Sequence, residues 1–150
     1  KRDDDRGYVT WDVAWQPGKL ETVGYNGGTE KARHTLESSH RPYAIQTSLV
    51  NGSLSANRGT ALIAITIVDD QQRDVFFSDD EITCTTTGPV RLLGMEASNP
   101  TDMGDYTDNQ QRVFQGKMMV YVQSTGEKGN ATVRFSAPWL EPAEVKVIVE

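Results

Sequence analysis

The chain has 150 residues, of which 37% are hydrophobic and 24% are charged, a composition typical of folded domains. The formal net charge of -6 argues against nucleic-acid binding, because a surface that follows a phosphate backbone needs an excess of Lys and Arg. The longest apolar run, Ala61–Val68, has the length of a strand and not that of a membrane span. We therefore expect neither a nucleic acid nor a membrane as a partner.

The first residues, KRDDDRG, are charged and contain neither an initiator Met nor a signal peptide. Strand-like sequence with two tryptophans follows at once, and we infer that the chain was cut from a longer protein. The acidic run Asp3–Asp5 suggests a calcium site, but calcium needs about six or more oxygens from several segments. A solvated turn is the favoured interpretation of this run.

The stretch Tyr8–Gly28 has an alternating pattern that predicts a half-buried antiparallel strand. The apolar positions of that pattern are Val9, Trp11, Val13 and Trp15. Pro17–Gly18 is typical of a turn, Leu20–Tyr25 of the returning strand, and Asn26–Gly27 of a second hairpin turn. We expect Trp15 to pack in a core, because it lies on the apolar face.

A linker separates this part from the rest of the chain. Lys31–Thr35 is typical of a third short strand, and the polar, turn-rich segment Glu37–Pro42 suits a connection between two units. A new alternation begins at Tyr43. The sequence therefore predicts one unit over residues 1–42 and another over residues 43–150.

Repeated strand patterns separated by turns fill the second unit. The predicted strands are Tyr43–Val50, Thr60–Asp69, Glu81–Thr86, Val90–Met95, Lys117–Ser124, Ala131–Ala137 and Val145–Val149. Thr60–Asp69 is apolar on both faces, which predicts a central strand. With no amphipathic helix pattern, the fold class is all-β, an antiparallel β-sandwich. The acidic stretch Glu96–Gln111 is predicted as a long loop, and such loops are functional or flexible.

Two groups of motifs resemble the C-terminal immunoglobulin-like domains of bacterial glycoside hydrolase family 2 enzymes. WDVAWQPGKLETVGYNGG, residues 11–28, resembles the end of the domain that follows the catalytic barrel, with its Trp-x-Val, Pro-Gly-x-Leu and Val-x-Tyr motifs. His34–Ile45 resembles the exit from that domain, with Ser38–Pro42 in place of the family's Thr-Ala-Gly-x-Pro. ALIAITIVDDQQR, ITCTTTGPVRLLGMEASNPTD and RVFQGKMMVYVQSTGEKGNATVRFSA resemble the last such domain, with Phe114–Gly116 in place of Phe-Asn-Gly.

The resemblance implies the C-terminal part of a β-galactosidase of the Bacteroidetes type. Residues 1–42 would be the last strands of a truncated immunoglobulin-like domain, and residues 43–150 a complete immunoglobulin-like β-sandwich. The resemblance also implies a periplasmic or secreted parent enzyme that hydrolyses terminal β-galactosides, with β-glucuronides or another β-glycoside as weaker alternatives. The preceding domains of that enzyme are then the expected partners, and a homo-oligomer or strand exchange with a second copy stays open.

We expect no catalysis by this chain alone. Enzymes of the family use two Glu residues on a barrel of about 200 residues or more, which the sequence does not contain. Nothing marks an acid pair among Glu81, Glu96, Asp102 and Asp105. Cys84, the one cysteine, sits in a strand pattern and is expected in the core. His34 and His40 are six residues apart and lack further ligands, so neither a metal nor a cofactor is expected.

Carbohydrate binding is the functional alternative that stays open. Sugars stack their apolar faces on exposed aromatic rings, and the chain offers several aromatic residues for this. The candidate residues are Trp15, for which packing in a core is favoured, Trp139, in SAPWLEP, and Tyr106, with the neighbouring acids Asp102 and Asp105. For Trp139 we favour packing against a neighbouring domain. The loop around Tyr106 is compatible with a substrate cleft, a contact with another domain, or calcium. The rival function is therefore a carbohydrate-binding or cell-surface adhesion module that works alone.

Overall fold

A computed structural model describes residues 2–3, 7–50 and 53–150 of the chain. The described residues form β-strands and no helix, which confirms the predicted all-β class. None of these segments is a helix that could cross a membrane. Most of the acidic run Asp3–Asp5, with its suggested calcium site, lies outside the described residues. The chain divides into two compact units, residues 1–38 and 39–150, whereas the sequence placed the boundary after residue 42.

The first unit consists of two small antiparallel sheets. Its strands are β1 (Arg2–Asp3), β2 (Val9–Thr10), β3 (Lys19–Asn26) and β4 (Thr29–Glu37). Strands β3 and β4 form a hairpin around Asn26–Gly28, in which both glycines have the positive φ that this kind of turn needs. The prediction of an Asn-Gly hairpin turn is thus confirmed.

The prediction of a hairpin around Pro17–Gly18 is wrong. Strand β3 pairs with β4, while β2 pairs with β1, and residues 11–16 form no strand. Trp15 is 79% exposed, so the expectation that it packs in a core is also wrong for this chain. The physical reason is that alternation buries a face only where a second layer covers it. Among residues 7–38 no side chain is buried.

The second unit is a sandwich of a four-stranded and a five-stranded sheet. Its strands are β5 (Ala44–Leu49), β6 (Ser53–Leu54), β7 (Thr60–Val68), β8 (Glu81–Thr87), β9 (Val90–Glu96), β10 (Gln110–Arg112), β11 (Lys117–Ser124), β12 (Gly129–Ser136) and β13 (Ala143–Val149). The sheet orders are β5-β7-β11-β9 and β10-β8-β12-β13-β6, antiparallel except where β13 meets β6. The predicted β-sandwich and the central position of β7 are confirmed.

Alternating side chains of both sheets form one core between the layers. On β7, Ile63, Ile65 and Ile67 are buried, and on β12 Phe135 is fully buried. Cys84 on β8 belongs to the same core, as predicted, and burial raises the pKa of its thiol to about 12. This side chain is therefore a small apolar residue and not a reactive nucleophile.

Two short strands escaped the sequence pattern. β6 has two residues and β10 has three, too few for a visible alternation. β10 lies at the end of the predicted loop Glu96–Gln111, so the irregular part of that loop spans residues 97–109. The loop joins β9, an outer strand of one sheet, to β10, an outer strand of the other.

Candidate functional site

The turn between β12 and β13 holds Trp139 in solvent. Trp139 is 96% exposed, and its φ of 68° lies in the left-handed region that residues other than glycine rarely adopt. The next residue, Leu140, is buried, and the backbone nitrogen of Glu141 donates a 2.9 Å hydrogen bond to the carbonyl oxygen of Tyr43. The turn is thus fixed on one side of Trp139 while its ring contacts water.

Tyr106 lies on a loop that is pressed against strand β9. Its carbonyl oxygen accepts a 2.8 Å hydrogen bond from the Met95 nitrogen, and its hydroxyl donates one of 3.3 Å to the carbonyl oxygen of Asp102. A Cβ atom on Gly94 would lie 2.7 Å from the Tyr106 carbonyl oxygen, so glycine is required for this close approach. The ring itself remains partly open to solvent.

The two predicted acidic residues beside Tyr106 bond within their own loop. Asp102 accepts hydrogen bonds of 2.9 Å from the Gly104 nitrogen and from the side chain of Gln111. Asp105 accepts bonds from the hydroxyl and the backbone nitrogen of Thr107, and these bonds lower the pKa of its carboxyl. Both carboxylates therefore stabilise the loop conformation.

The structure does not bring Trp139 and Tyr106 into one site. The turn of Trp139 lies beside the start of β5, whereas the loop of Tyr106 lies beside β9. β5 and β9 are the two outer strands of the four-stranded sheet, with β7 and β11 between them. At a spacing of about 4.8 Å per strand, the two positions are about 14 Å apart across the sheet, too far to hold one sugar ring.

One end of the sandwich carries exposed aromatic side chains from three connections. Its members, which we call the aromatic end, are Tyr43, Phe76, Phe77 and Trp139. They share this end because the start of β5, the end of β7 and the turn before β13 meet there, as the pairings Ala44–Val68 and Ala44–Glu141 show. The two phenylalanines were not among the predicted site residues, although a Phe-Phe pair between two acidic turns is visible in the sequence.

A buried carboxylate organises the same end of the sandwich. Asp69 is fully buried and accepts hydrogen bonds from the backbone nitrogens of His40, Gln71 and Arg73 and from the Arg73 guanidinium. Burial alone would raise the pKa of Asp69, but these hydrogen bonds outweigh it and hold that pKa far below its ordinary value.

His40 extends this cluster toward solvent. Its Nδ1 atom lies 2.9 Å from an Asp70 carboxylate oxygen, and ligand atoms of His40, Asp69 and Asp70 all lie within 4.8 Å of one another. The expectation that His40 has no potential ligands nearby is therefore wrong, because folding supplies residues distant in sequence. The Asp69 oxygens are already engaged by Arg73 and backbone donors, so the cluster clamps the segment before β5 to the turn after β7.

The acids with displaced pKa values in the described residues differ from those of a glycosidase pair. Such a pair needs one carboxyl with a raised pKa beside an ionised one. The carboxyl groups of Glu21, Asp69 and Asp105 have displaced pKa values, and each is displaced downward. Glu81 lies 3.9 Å from Arg112, and Glu96 bonds to Ser98 in its own turn.

Comparison with known proteins gives consistent matches. Residues 45–146 match the family model described as glycoside hydrolase family 2 C-terminal domain 5. A beta-galactosidase of Bacteroides ovatus is 22% identical over 100% of this chain and 18% of its own length. A beta-glucuronidase of Formosa agariphila is 26% identical over 94% of this chain and 15% of its own length.

Solved structures agree with the sequence matches. A beta-glycosidase of Bacteroides vulgatus is 31% identical with a TM-score of 0.84, covering 93% of this chain and 18% of that protein. A glycosyl hydrolase family 2 member of Bacteroides cellulosilyticus has a TM-score of 0.89 at 22% identity, covering 93% of this chain and 18% of that protein. The chain thus spans less than a fifth of the length of each of these proteins.

Proposed function

Since the chain belongs to the C-terminal domain 5 family of glycoside hydrolase family 2, we propose that it is a non-catalytic accessory part of a larger glycosidase. The two units would act as structural modules that pack against other domains of that enzyme or set its oligomer geometry. The parent would hydrolyse terminal β-galactosides, and β-glucuronides are the second choice, in line with the names of two relatives. We place that parent in the periplasm or outside the cell.

One observation carries this proposal. The first unit exposes Trp11, Trp15, Tyr25 and Leu36, and residues 7–38 bury no side chain. A two-stranded hairpin with so much apolar surface is at best marginally stable in water, and large exposed apolar patches mark contact surfaces. Further polypeptide outside this chain is the natural cover for that surface. Both outer edges of β3–β4 lack a strand partner within the described residues, so a second copy is another candidate cover.

The test compares this chain with the full protein that contains it. We expect the full protein to hydrolyse a chromogenic β-galactoside and this chain alone to release no product. In the full protein, Trp15→Ala should lower the melting temperature, because the polypeptide that covers the first unit loses its contacts with the ring. Turnover by the chain alone would contradict the accessory role, and an unchanged melting temperature would contradict packing of the first unit.

The alternative is a carbohydrate-binding or adhesion module that works alone. The exposure of Trp139 favours it, because a ring held fully in solvent is available for stacking. A glycan array with the chain separates the two functions. Saturable binding that Trp139→Ala or Tyr106→Ala abolishes would replace the accessory proposal, whereas absence of binding would favour it.

A further inference from the structure

A polar cleft lies at the end of the sandwich opposite the aromatic end. It has a volume of about 560 Å³ and is lined by residues 56–58, Arg91 and residues 123–126. These segments are the connection from β6 to β7, the start of β9, and the end of β11 with the residues after it. Pockets for small ligands have volumes of about 300–1,000 Å³, so the cleft is large enough for a sugar.

The charge of the cleft differs from that of the chain. The net charge of the chain is -6, yet the cleft lining contains Arg58 and Arg91 and no acidic residue. Three other arginines of the second unit form ion pairs with acids. The pairs there are Arg73 with Asp69, Arg112 with Glu81 and Arg134 with Glu144.

Neither cleft arginine has a carboxylate partner within the described part of the chain. Arg91 donates a 2.8 Å hydrogen bond to the neutral side-chain oxygen of Gln123. The side-chain nitrogen of the same Gln123 lies 3.4 Å from the carbonyl oxygen of Arg58. Gln123 thus connects both arginine positions without neutralising either charge, so both charges remain available to an anion.

The backbone that carries Arg58 is held rigidly. Arg58 has a φ of 57°, and the turn that contains it is closed by a 2.9 Å hydrogen bond from the Gly59 nitrogen to the Ser55 carbonyl oxygen. The buried hydroxyl of Ser124 lies 2.8 Å from that oxygen and 3.0 Å from the Ala56 carbonyl oxygen. The Ser124 nitrogen also bonds the Gly59 carbonyl oxygen at 2.9 Å. The wall of the cleft is therefore preorganised on the end of β11.

We propose that this cleft binds the oxyanion of an acidic saccharide. Arg58 and Arg91 would hold a carboxylate or sulfate group, because a planar guanidinium donates two parallel hydrogen bonds to either anion. The side chains of Asn57 and Thr125 are on the same lining and are suited to sugar hydroxyls. With no aromatic ring in the lining, we expect binding in the millimolar range.

The inference goes beyond the accessory role, and its test does not depend on that role. The 150-residue chain is titrated by two-dimensional NMR with sodium glucuronate, glucose 6-sulfate, neutral glucose and sodium sulfate. We expect saturable shifts around residues 57–59, 91 and 123–126 with glucuronate, with glucose 6-sulfate or with both. Which saccharide binds more tightly identifies the preferred oxyanion, and glucose should bind at least tenfold more weakly.

Matched variants test the assignment to the cleft. Arg58→Gln and Arg91→Gln should each weaken binding at least fivefold, whereas Arg134→Gln removes the same charge elsewhere in the unit and should leave binding unchanged. Gly59→Ala keeps both arginines, but its added Cβ would lie 2.5 Å from the Ser55 carbonyl oxygen and displace the wall. We expect it to weaken binding as well, and the NMR spectrum of each variant reports whether its core is intact.

Three results would overturn the inference. The first is that neither acidic saccharide shifts these signals at 50-fold the concentration expected for half-saturation. The second is that inorganic sulfate binds as tightly as both saccharides, which would leave no recognition of the sugar. The third is that Arg134→Gln weakens binding as much as Arg58→Gln, which would indicate diffuse attraction in place of a site.

Discussion

The β3–β4 hairpin and the sandwich are both built from long antiparallel strands, but they differ in what those strands cover. Every residue from 7 to 38 stays at least partly exposed, although that segment contains two of the three tryptophans of the chain. In the second unit, two sheets enclose a core in which Ile63, Phe135 and Val147 are fully buried. Antiparallel strand pairing is present in both, so the second layer is what distinguishes a core from a surface.

This difference shows where the free energy of folding comes from in this chain. Backbone pairing offsets the loss of hydrogen bonds to water but adds little net stability. Apolar burial contributes about 25 cal/mol for each square ångström removed from water, and the sandwich obtains it while the hairpin does not. Substitutions in the sandwich should therefore change the free energy of unfolding more than substitutions in the hairpin do.

The largest effect is expected at the centre of the sandwich. Phe135→Ala removes a fully buried ring and should lower the free energy of unfolding by about 3–5 kcal/mol. Tyr25→Ala removes an exposed ring from the hairpin and should change it by less than about 0.5 kcal/mol. Urea unfolding of both variants measures the contrast. A Tyr25→Ala cost similar to that of Phe135→Ala would show that the hairpin has a core of its own.

Glycine substitutions test the same difference between the sandwich and the hairpin, because the space for an added Cβ atom differs between them. Gly88 and Gly28 have similar φ values of 84° and 79°. A Cβ atom on Gly88 would lie 2.4 Å from the Asn130 carbonyl oxygen, whereas one on Gly28 would meet nothing within 4 Å. Both alanine variants carry a left-handed strain of about 1–2 kcal/mol, and Gly88→Ala should lose about 1–3 kcal/mol more.

Thermal unfolding and hydrogen exchange measure the two glycine variants. Gly88→Ala should lower the melting temperature of the sandwich, and Gly28→Ala should only speed exchange within β3 and β4. Equal melting temperatures for the two variants would mean that β12 moves away from the added Cβ atom at no cost in free energy. That result would contradict the close packing of Gly88 against Asn130.

The sequence predicted those parts of the fold whose pattern is local. Lys117–Ser124 was predicted with the bounds of β11, because eight alternating residues in a covered sheet carry a clear period. The same pattern gave a wrong strand prediction for residues 11–16. Alternation indicates which face of a segment is apolar but not whether a second layer covers that face. The two-residue strand β6 was missed because it is too short to show any period.

The candidate site was less predictable, because its residues come together only on folding. Trp139 and Tyr106 were found as aromatic residues in turns, but the sequence could not show that they lie beside opposite outer strands of the four-stranded sheet. Asp69 and His40 are 29 positions apart, and Arg91 and Gln123 are 32 apart. Strand pairing, and not local spacing in the sequence, brings these residues together. No sequence motif therefore predicted them.

Acid sensitivity should be concentrated in the second unit. The folded pKa of Asp69 is below its unfolded value, so its contribution is present above about pH 4 and is lost as the pH falls through the folded pKa. Asp69→Asn should therefore flatten the loss of stability of the sandwich below about pH 4 and lower its stability at pH 7. Melting temperatures from pH 2 to pH 7 measure this.

The control for acid sensitivity is the hairpin. A hydrogen bond from Lys19 lowers the pKa of Glu21, but that pair is exposed to solvent. Screening by water makes the contribution small, so Glu21→Gln should leave the pH profile of the sandwich unchanged. If the melting temperature of Asp69→Asn falls with decreasing pH as steeply as that of the wild type, other carboxyl groups dominate the acid response of the sandwich.

The smallest effect is expected at the exposed tryptophan of the second unit. Trp139→Gly should raise the free energy of unfolding by about 0.5–1 kcal/mol, because glycine adopts a positive φ without strain and the exposed ring loses no packing. Trp15→Ala in the isolated chain should change it by less than about 0.5 kcal/mol. A destabilising Trp139→Gly would indicate that this ring contacts the sandwich in solution.

Amide hydrogen exchange of the wild-type chain compares the sandwich with the β3–β4 hairpin in one experiment, because it reports the protection of each backbone amide separately. We expect amides of β7, β8, β11 and β12 to exchange only on global unfolding of the sandwich. We expect amides of β3 and β4 to exchange through local opening, at least a hundredfold faster. Equal protection of β3–β4 and β7–β11 would contradict the claim that this chain contains one covered core and one uncovered hairpin.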